Sequence, residues 1–341
     1  KAGEAGTTGR FLSIEAVGIQ LTGELAENYD IYYSVHSAHI GWLDWACNGE
    51  SAGTQGYAYG IEAIEIVILE KGEDAPGATD ESFLVAPPRI SVNVNSDGTW
   101  LSSAIDGATA GTTNEDQPLY SVRAAVSRLG DLSGSVQYQT MRMFEDWNDT
   151  WSSSGSNSDD VSDCVPLQAV RFELSGTLAD NYDIYYRSYC ADYGWLGWAC
   201  NGEDSGTSGY ATGIQAMQVV LVAKGEDAPG STERAFLSNT SSAQVIYQAH
   251  SSEEGWLDVT TEGVAGTTGK NLGLEALRVT VGGIDASVRI KAHVSELGWQ
   301  DWVEDGEVAG TTGEKLPIEA LMIDLEGQDA SSYDIYYRLH V

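Results

Sequence analysis

Apolar and polar residues alternate over many short stretches of the chain. The last stretch, residues 334–341, reads DIYYRLHV, with Ile, Tyr, Leu and Val at every second position. A period of two in a segment rich in aromatic and branched residues predicts a half-buried strand. Turns such as Asn48-Gly49 follow such stretches with hairpin chemistry, and helical patterns are almost absent. The chain is therefore predicted to be all-β.

The strands recur in a repeat. A triplet [Ile/Leu/Val]-x-Ala occurs seven times, about 44 to 61 residues apart, beginning at Ile14, Ile61, Val122, Leu167, Ile214, Leu274 and Ile318. An Ala-Gly-Thr-like turn commonly precedes the triplet. Further ahead lies a tryptophan in six of the seven repeats, namely Trp42, Trp100, Trp147, Trp195, Trp256 and Trp299. With a Tyr-rich strand after the triplet, each repeat of roughly 48 residues predicts about four strands.

A longer period covers three repeats. The run NYDIYY at 28–33 returns at 181–186, an offset of 153 residues. Three repeats of four strands suit a β-trefoil, so we predict tandem β-trefoil-like domains. The predicted division is a three-repeat domain at 1–151, a Ser-rich linker or loop at 152–160, a second three-repeat domain at 161–306, and part of a further repeat at 307–341. The alternative is a single seven-bladed β-propeller.

Charge limits the possible partners. Against 17 Lys plus Arg stand 51 Asp plus Glu, a formal net charge of -34, which repels nucleic acid and anionic membranes. No apolar run approaches the roughly 18 residues that a membrane helix needs, so no membrane insertion is expected. The four cysteines, Cys47, Cys164, Cys190 and Cys200, are too few and too irregularly spaced for a disulfide framework or a zinc site.

The clearest copies of the repeat carry a Gly-Trp-x-x-Trp motif: GWLDW at 41–45, GWLGW at 194–198 and GWQDW at 298–302. Followed by a hairpin, a Gly-Thr turn, an Ile-Glu-Ala-Leu-like strand and a Tyr-rich strand, the motif resembles the clostridial hydrophobic repeat with its Trp, the ChW repeat. The resemblance implies a secreted or surface-attached protein of Gram-positive bacteria, in some cases associated with the cell wall.

The resemblance also implies a non-catalytic role. We expect a carbohydrate-binding or adhesive module whose partner is an extracellular glycan or a surface protein. The alternative is a structural or assembly module of a surface fibre or spacer, self-associating through its terminal repeats, because spare strands are edges that need a partner. An enzyme is not expected, since no carboxylate pair stands out from the repeat background.

The second tryptophan of the motif is the main candidate for ligand binding. Residues three apart on a strand point to opposite faces, so the first tryptophan is expected in the core and the second outside it. An exposed second tryptophan could stack on a sugar, with an adjacent carboxylate accepting hydroxyl hydrogen bonds; the alternative is packing between repeats. With loop tyrosines added, the candidate set is Asp44, Trp45, Trp198, Asp301, Trp302, Tyr57, Tyr59 and Tyr210.

Two further patterns have structural explanations. His36, His250, His293 and His340 occupy one recurring strand position, which favours a structural role over a catalytic or metal site. Asn93, Asn95 and Asp97 resemble part of a calcium loop, so calcium is a possible cofactor and otherwise no cofactor is expected. Asp97-Gly98 also suits a hairpin turn, and the distal glutamate of a calcium loop is missing.

Overall fold

A computed structural model describes residues 12–114 and 117–340. The predicted last strand is wrong for the part described, because residues 334–340 form no strand and His340 therefore does not share the strand position of the other histidines; Val341 lies outside the described residues. The prediction of an all-β chain is confirmed, since the described residues form 29 strands, two short α-helices and one 3-10 turn. The repeats are numbered here in chain order. Repeat 1 is represented by β1 (Ala16–Val17), and α1 (Glu24–Asn28) follows it.

The bounds of the remaining strands follow the repeats. Repeat 2 contains β2 (Tyr29–Ser37), β3 (Gly41–Trp42), β4 (Ala46–Cys47), β5 (Ala52–Gln55) and β6 (Ile61–Glu70), and β7 (Phe83–Val85) follows it. Repeat 3 contains β8 (Arg89–Ser96), β9 (Thr99–Trp100), β10 (Ala104–Ile105), β11 (Ala110–Gly111) and β12 (Leu119–Ser127). Repeat 4 contains β13 (Val136–Arg142), β14 (Ser152–Ser153) and β15 (Leu167–Leu174).

Repeat 5 follows α2 (Gly176–Asn181) and contains β16 (Tyr182–Cys190), β17 (Gly194–Trp195), β18 (Ala199–Cys200), β19 (Ser205–Ser208) and β20 (Ile214–Ala223), with β21 (Phe236–Ser238) after it. Repeat 6 contains β22 (Gln244–Ser251), β23 (Gly255–Trp256) and β24 (Leu274–Gly282). Repeat 7 contains β25 (Ser287–Val294), β26 (Gly298–Trp299), β27 (Val303–Glu304), β28 (Ala309–Gly310) and β29 (Ile318–Glu326), and the 3-10 turn Ala330–Ser332 follows.

Each repeat is built on one long antiparallel hairpin. In repeat 2, β2 pairs with β6 along its whole length, from Tyr29 opposite Glu70 to Ser37 opposite Ile61. The other edge of β2 pairs with β3 at one end and β4 at the other. The predicted Trp strand is thus two short strands joined by a non-strand segment, and the Tyr-rich strand precedes its Ile-x-Ala partner within the same repeat.

The Ala-Gly strand connects one repeat to another. In repeat 2, β5 pairs with β1 of repeat 1 instead of with its own hairpin. In the same way β19 of repeat 5 pairs with β15 of repeat 4, and β28 of repeat 7 pairs with β24 of repeat 6. The donated strand lies beside the Ile-x-Ala triplet of the preceding repeat in each case. The repeats are therefore linked by backbone hydrogen bonds as well as by side-chain packing.

The described chain forms two compact regions. The first comprises the residues up to Pro88 together with Ser127–Leu132. Its core contains Ile31, Tyr33 and Val35, the inward-facing alternate residues of β2. The second region comprises Arg89–Val126 and the chain from Ser133 onwards. It holds repeats 3 to 7.

Within the second region, repeats 3, 4 and 5 are joined to one another by backbone hydrogen bonds in a closed cycle. Repeat 5 donates β19 to repeat 4, and β11 of repeat 3 pairs with β20 of repeat 5. Repeat 4 closes the cycle with its Ser-rich segment, where the backbone nitrogen atoms of Gly155 and Ser158 donate to the carbonyl oxygens of Ala124 and Val122 on β12. The three repeats share one core, which includes Leu119, Phe172 and Tyr186 among its fully buried residues.

The Ser-rich segment at 152–160, predicted as a linker or loop, is a loop that belongs to this cycle. Its Asp159 side chain is buried and accepts a hydrogen bond from Thr140 on β13, at 2.8 Å. The predicted domain boundary at 151–160 falls inside the cycle. Repeats 6 and 7 share a second core, with Val288, Ile290 and Val294 fully buried or nearly so.

Two further observations concern the whole described chain. None of the helices in residues 12–114 and 117–340 has the length and hydrophobicity needed to cross a bilayer. The four cysteines are present as free thiols, Cys190 being buried and the other three half-buried.

Candidate functional site

The two tryptophans of the Gly-Trp-x-x-Trp motif converge on one cationic side chain. In repeat 5 the Arg187 guanidinium lies 4.7 Å from the ring centroid of Trp195 and 4.8 Å from that of Trp198. In repeat 7 the Lys291 ammonium lies 5.7 Å from Trp299 and 5.9 Å from Trp302. Both arrangements are within the range of cation–π attraction.

The prediction that the two tryptophans point to opposite faces is therefore wrong. It assumed a continuous strand, but β17 ends at Trp195 and β18 begins at Ala199, so Trp198 lies in an irregular segment that turns it back. The expectation of a core position for the first tryptophan is wrong as well, because Trp42 is 50% exposed and Trp299 is 42% exposed. Both rings of a pair belong to one outward-facing surface.

A loop covers this surface in repeats 2 and 5. The sequence GEDAPG follows the long hairpin in both, and its last glycine lies against the second tryptophan: Gly77 against Trp45, and Gly230 against Trp198. The backbone nitrogen atoms of both tryptophans donate to this loop, to Ala78 at 2.9 Å and to Ser231 at 2.8 Å. Trp198 is consequently only 6% exposed and Trp45 is half-buried.

Repeat 7 leaves its aromatic pair accessible. The shorter segment 327–332 follows its hairpin, and Trp302 stays 39% exposed. Arg289 lies 4.7 Å from the Trp302 ring centroid, and the adjacent Asp301 is exposed. The arrangement predicted from the sequence, an exposed tryptophan beside a carboxylate, is thus present in repeat 7.

Repeat 5 has a cavity beside its tryptophan pair. The cavity has a volume of about 340 Å³ and is lined by two tryptophans, a tyrosine, two arginines and a glutamate, together with loop residues: Arg187, Tyr193, Trp195, Leu196, Gly197, Trp198, Pro229, Gly230, Ser231, Glu233 and Arg234. Partial burial lowers the pKa of Arg187, because removing the guanidinium from water penalises its charged form. Aromatic faces, hydrogen-bond donors and one carboxylate therefore line a single concave site.

The predicted loop tyrosines form aromatic contacts in both places. Tyr210 packs edge to face against Tyr193, with centroids 5.4 Å apart, which joins it to the cavity of repeat 5. In repeat 2, Tyr57 stacks on Tyr59 at 5.5 Å, and Tyr59 also contacts His39 at 5.1 Å. All three predicted tyrosines are half-buried.

Asp44 differs from Asp301 in its surroundings. The Asp44 carboxylate accepts a hydrogen bond from the backbone nitrogen of Glu81, at 3.0 Å, and the Asp44 nitrogen donates to the Glu81 carbonyl oxygen. It thereby holds the covering loop of repeat 2. One such bond leaves the other acceptor sites of the carboxylate free, so the expectation that Asp44 accepts from sugar hydroxyls stays a prediction.

The repeated histidines form a constant contact set. In repeats 2, 6 and 7 the histidine ring packs edge to face on the first tryptophan, at 5.3 to 5.5 Å and 81°. The Nδ1 atom lies 3.1 or 3.2 Å from the glutamate of the Ile-x-Ala triplet, in the pairs His36–Glu62, His250–Glu275 and His293–Glu319. Such a set orients the tryptophan in each of these repeats, in line with the predicted structural role.

The three possible calcium ligands lie in different surroundings. Asn93 donates to the carbonyl oxygen of Leu101 at 3.1 Å, Asn95 is fully buried, and Asp97 is exposed in the turn after β8 with φ 49°. Asp97 thus lies in a hairpin turn, which was the alternative to a calcium loop in the sequence analysis. Among the described residues, no cluster of three or more His, Cys, Asp or Glu could hold a metal ion.

Sequence reasoning missed Arg187, Tyr193, Glu233 and Arg234. One signal was available: Arg187 and Lys291 occupy the same place, two residues before Tyr189 and His293, which pair with the first tryptophans Trp195 and Trp299. Recognising a cation at that position would have indicated that both rings face it. Glu233 and Arg234 come from the covering loop, whose course the sequence did not predict.

Comparison with known proteins identifies the repeat. The family model described as ChW, Clostridial hydrophobic W, matches residues 36–70, 189–223, 250–283 and 293–327, which lie in repeats 2, 5, 6 and 7. The resemblance inferred from the sequence is thereby confirmed at four places. No curated protein and no solved structure matches the chain.

Proposed function

We propose that this chain, which carries Clostridial hydrophobic W repeats at four places, is a non-catalytic carbohydrate-binding module. The observation that carries the proposal is the cavity of repeat 5, where Tyr193, Trp195 and Trp198 meet Arg187 and Glu233. Its volume of about 340 Å³ suits a ligand the size of one sugar residue, at the lower end of small-molecule sites.

The chemistry of the lining supports a sugar. The more accessible rings, Tyr193 and Trp195, offer apolar surface to the C–H groups of a pyranose, while guanidinium and carboxylate groups donate to and accept from its hydroxyls. The two arginines extend the expected range to sugars that carry a carboxylate, since guanidinium pairs well with that group. Glycans with and without carboxylates belong in the same screen.

Repeat 7 supplies a second, shallower site. Trp299 and Trp302 are both exposed there, with Lys291 between them and Asp301 alongside. Two weak sites on one chain would raise the apparent affinity for a polymer through effective concentration. We therefore expect polysaccharides to bind more tightly than short oligosaccharides.

Calorimetric titration with neutral and carboxylated oligosaccharides tests the proposal. The Tyr193→Ala and Trp195→Ala variants are expected to weaken binding at the cavity by at least about tenfold each, equivalent to about 1.4 kcal/mol. Tyr336→Ala is the matched control, because Tyr336 is an 88% exposed aromatic residue outside both sites. Absence of binding to every glycan class, or equal affinity of folded Tyr193→Ala and the parent chain, would contradict the proposal.

We also propose that the cycle of repeats 3 to 5 is a β-trefoil-like domain. In a propeller each blade is a sheet of its own that packs on the blades next to it in sequence, whereas β11 of repeat 3 pairs with β20 two repeats further on. Three repeats around one shared core suit the pseudo-threefold arrangement of a trefoil. An experimental structure of the chain tests this directly, and a ring of seven equivalent blades would contradict it.

The setting we propose is secreted or cell-surface, as the ChW repeats and the net charge of -34 suggest. If the protein is secreted, it should be found in the culture medium. If it is attached to the surface, protease treatment of intact producing cells should remove it. Protein that stays inside the cells and survives this treatment would argue against the proposed setting. The structural or assembly role and the absence of catalysis stay predictions.

A further inference from the structure

Wherever the Ala-Gly strand is paired, its glycine lies tightly against the Ile-x-Ala strand of another repeat. The paired glycines are Gly53, Gly111, Gly206 and Gly310, with φ between 99° and 130°. A β-carbon on any of them would lie closer than 3.0 Å to the carbonyl oxygen at the middle of an Ile-x-Ala-type triplet, on Glu15, Gln215, Gln168 or Glu275 respectively. Only glycine permits so close an approach of the two backbones.

Repeat 6 has the same donor segment without an acceptor. Its Ala265-Gly266-Thr267 sequence matches the paired copies, and Gly266 has φ 121°, inside the range of the paired glycines. A β-carbon on Gly266, however, would have nothing within 4 Å. Gly266 thus has the backbone conformation of the paired glycines and, like them, no side chain. No Ile-x-Ala strand of the described chain lies beside it.

Repeat 2 has an acceptor without a donor. In the described chain β6 pairs with β2 alone, whereas β20, β15 and β24 each pair on both edges. The triplet glutamate Glu62 has a 60% exposed side chain. The equivalent Glu275 is 1% exposed, because the donated segment of repeat 7 covers it and the Gly313 nitrogen donates to its carboxylate at 3.3 Å.

The face of β6 is also apolar and uncovered. Ile64, Ile66 and Ile68 point to the same side of the strand and are 42%, 52% and 50% exposed. The equivalent Met217 and Val219 of repeat 5 are buried in the shared core of the cycle, where a neighbouring repeat covers them. Three adjacent exposed isoleucines on an unpaired edge strand need a partner.

Repeat 7 has the same unpaired edge, since β29 pairs with β25 alone in the described chain, but the residues after its hairpin cover its apolar face. The equivalent residue Leu321 on β29 is only 8% exposed. The following tail lies over it, with the Tyr337 hydroxyl 3.5 Å from the Leu321 carbonyl oxygen and Ile335 packed on the core. The stripe of repeat 2 is therefore the more open of the two.

We propose that β6 of repeat 2 binds repeat 6 of a second copy of this chain. In this contact Ala265-Gly266 of one copy lies along Glu62-Ala63-Ile64 of the other, in the antiparallel register seen between Ala110-Gly111 and Gln215-Ala216-Met217. Gly266 then faces Ala63, Ala265 faces Ile64, and repeat 6 covers the isoleucine stripe. The two surfaces differ, so the contact is heterologous and can extend into a chain of molecules.

The charge of the chain sets the conditions for this association. Two copies with a formal charge of -34 each repel one another, and salt screens that repulsion. Association is therefore expected to strengthen from low to physiological ionic strength. The inference rests on strand edges and does not depend on carbohydrate binding.

Sedimentation velocity of the full chain over a wide range of concentration and salt provides the first test. We expect species heavier than the 36.5 kDa monomer, with the association constant lowered about tenfold or more in Ile66→Lys, because the new charge would be buried. Ile66 is exposed, so the variant should fold, which its circular dichroism and unfolding midpoint will show. Leu297→Lys is the matched control, being a 55% exposed apolar residue in a turn of repeat 7.

A crosslink between two separate variants identifies the register. Chains carrying Ile64→Cys and chains carrying Ala265→Cys are mixed and oxidised, and the disulfide-linked peptides are mapped by mass spectrometry, which also accounts for the four native cysteines. We expect the 64–265 link between copies, and not a 64–270 link when Lys270→Cys replaces the donor variant. A monomer at every concentration and salt, or association unchanged in Ile66→Lys, would overturn the proposal.

Discussion

Gly197 and Glu233 lie so close that a β-carbon on Gly197 would approach the Glu233 carbonyl oxygen to less than 3.0 Å. The residue in the same place in repeat 2 is Asp44, whose side chain accepts a hydrogen bond from the covering loop instead. One position of the Gly-Trp-x-x-Trp motif thus holds the same loop in two different ways. The backbone nitrogen of this position donates to the loop in both repeats, but in repeat 5 the loop lies directly against the glycine, and in repeat 2 the loop also donates to a carboxylate.

Gly197→Ala is expected to lower the free energy of unfolding by about 1–3 kcal/mol, the usual cost of overpacking, and to displace the covering loop from Trp198. The urea midpoint followed by tryptophan fluorescence measures the loss. Asp44→Ala is the comparison variant and should cost about 1 kcal/mol, since it removes one partly exposed hydrogen bond. A Gly197→Ala midpoint equal to that of the parent would show that the loop can move aside freely.

A comparison of Gly206→Ala with Gly266→Ala separates the energetic cost of backbone strain from the cost of steric overlap. Both glycines have strongly positive φ, 130° and 121°, so either substitution costs about 1–3 kcal/mol from strain alone. Only Gly206 also lies against a neighbouring backbone, at Gln168. We expect Gly206→Ala to lose roughly 2 kcal/mol more than Gly266→Ala, measured by urea unfolding at a concentration where the chain is monomeric. Equal losses would mean that the close approach at Gly206 relaxes without cost.

Cys190 is expected to resist alkylation in the native protein. It is fully buried, and burial raises its pKa to about 12, so almost no thiolate exists at pH 8. Iodoacetamide at pH 8 should modify half-buried Cys47 well before Cys190, as peptide mass spectrometry will show. In concentrated urea both should react at similar rates, and rapid native labelling of Cys190 would contradict the burial.

The Asp183 carboxylate should contribute stability that depends on pH. Burial raises its pKa, but hydrogen bonds from Lys224 and Asn201 outweigh this, and the net pKa lies below the ordinary value of 3.8. A group with a depressed folded pKa stabilises the fold above its unfolded pKa, and this contribution is lost as pH falls through the folded pKa. The stability difference between the parent and Asp183→Asn should therefore be constant above about pH 5 and shrink below about pH 4.

Urea midpoints from pH 2 to pH 7 measure that difference. Asp149→Asn, at an exposed position, provides the control for the loss of one negative charge. A gap between the parent and Asp183→Asn that widens on acidification would contradict the assigned direction of the pKa shift.

The all-β class and the repeat could be predicted because each depends on local patterns. Alternation within Tyr182–Cys190 places Ile184 and Tyr186 in the core, as a period of two requires. The Ala-Gly-Thr turn was also visible in the sequence. What the turn pairs with was not, because the partner of Ala110–Gly111 lies two repeats further along the chain. Pairing at that distance leaves no local signature.

The candidate site was predicted in part. Trp302 is exposed, as stacking of the second tryptophan on a sugar requires. Trp198 is buried, because the loop after its hairpin covers it. The identical motif gives different exposure in repeats 5 and 7, and the difference comes from residues some 30 positions away. The Ser-rich segment is one of the two predicted alternatives, a loop, but composition does not reveal that Gly155 and Ser158 donate hydrogen bonds in place of an Ala-Gly strand.

The cyclic exchange among repeats 3, 4 and 5 constrains how such a gene can grow. Insertion or deletion of one repeat leaves one donor strand and one acceptor edge unpaired. The resulting protein is less stable or more prone to aggregate. Duplication of three repeats that close their own cycle leaves every edge matched, whereas here repeat 2 keeps an unmatched acceptor and repeat 6 an unmatched donor. The 153-residue offset between the two copies of NYDIYY corresponds to three repeats, which fits a history in which whole triplets, and not single repeats, were the heritable unit.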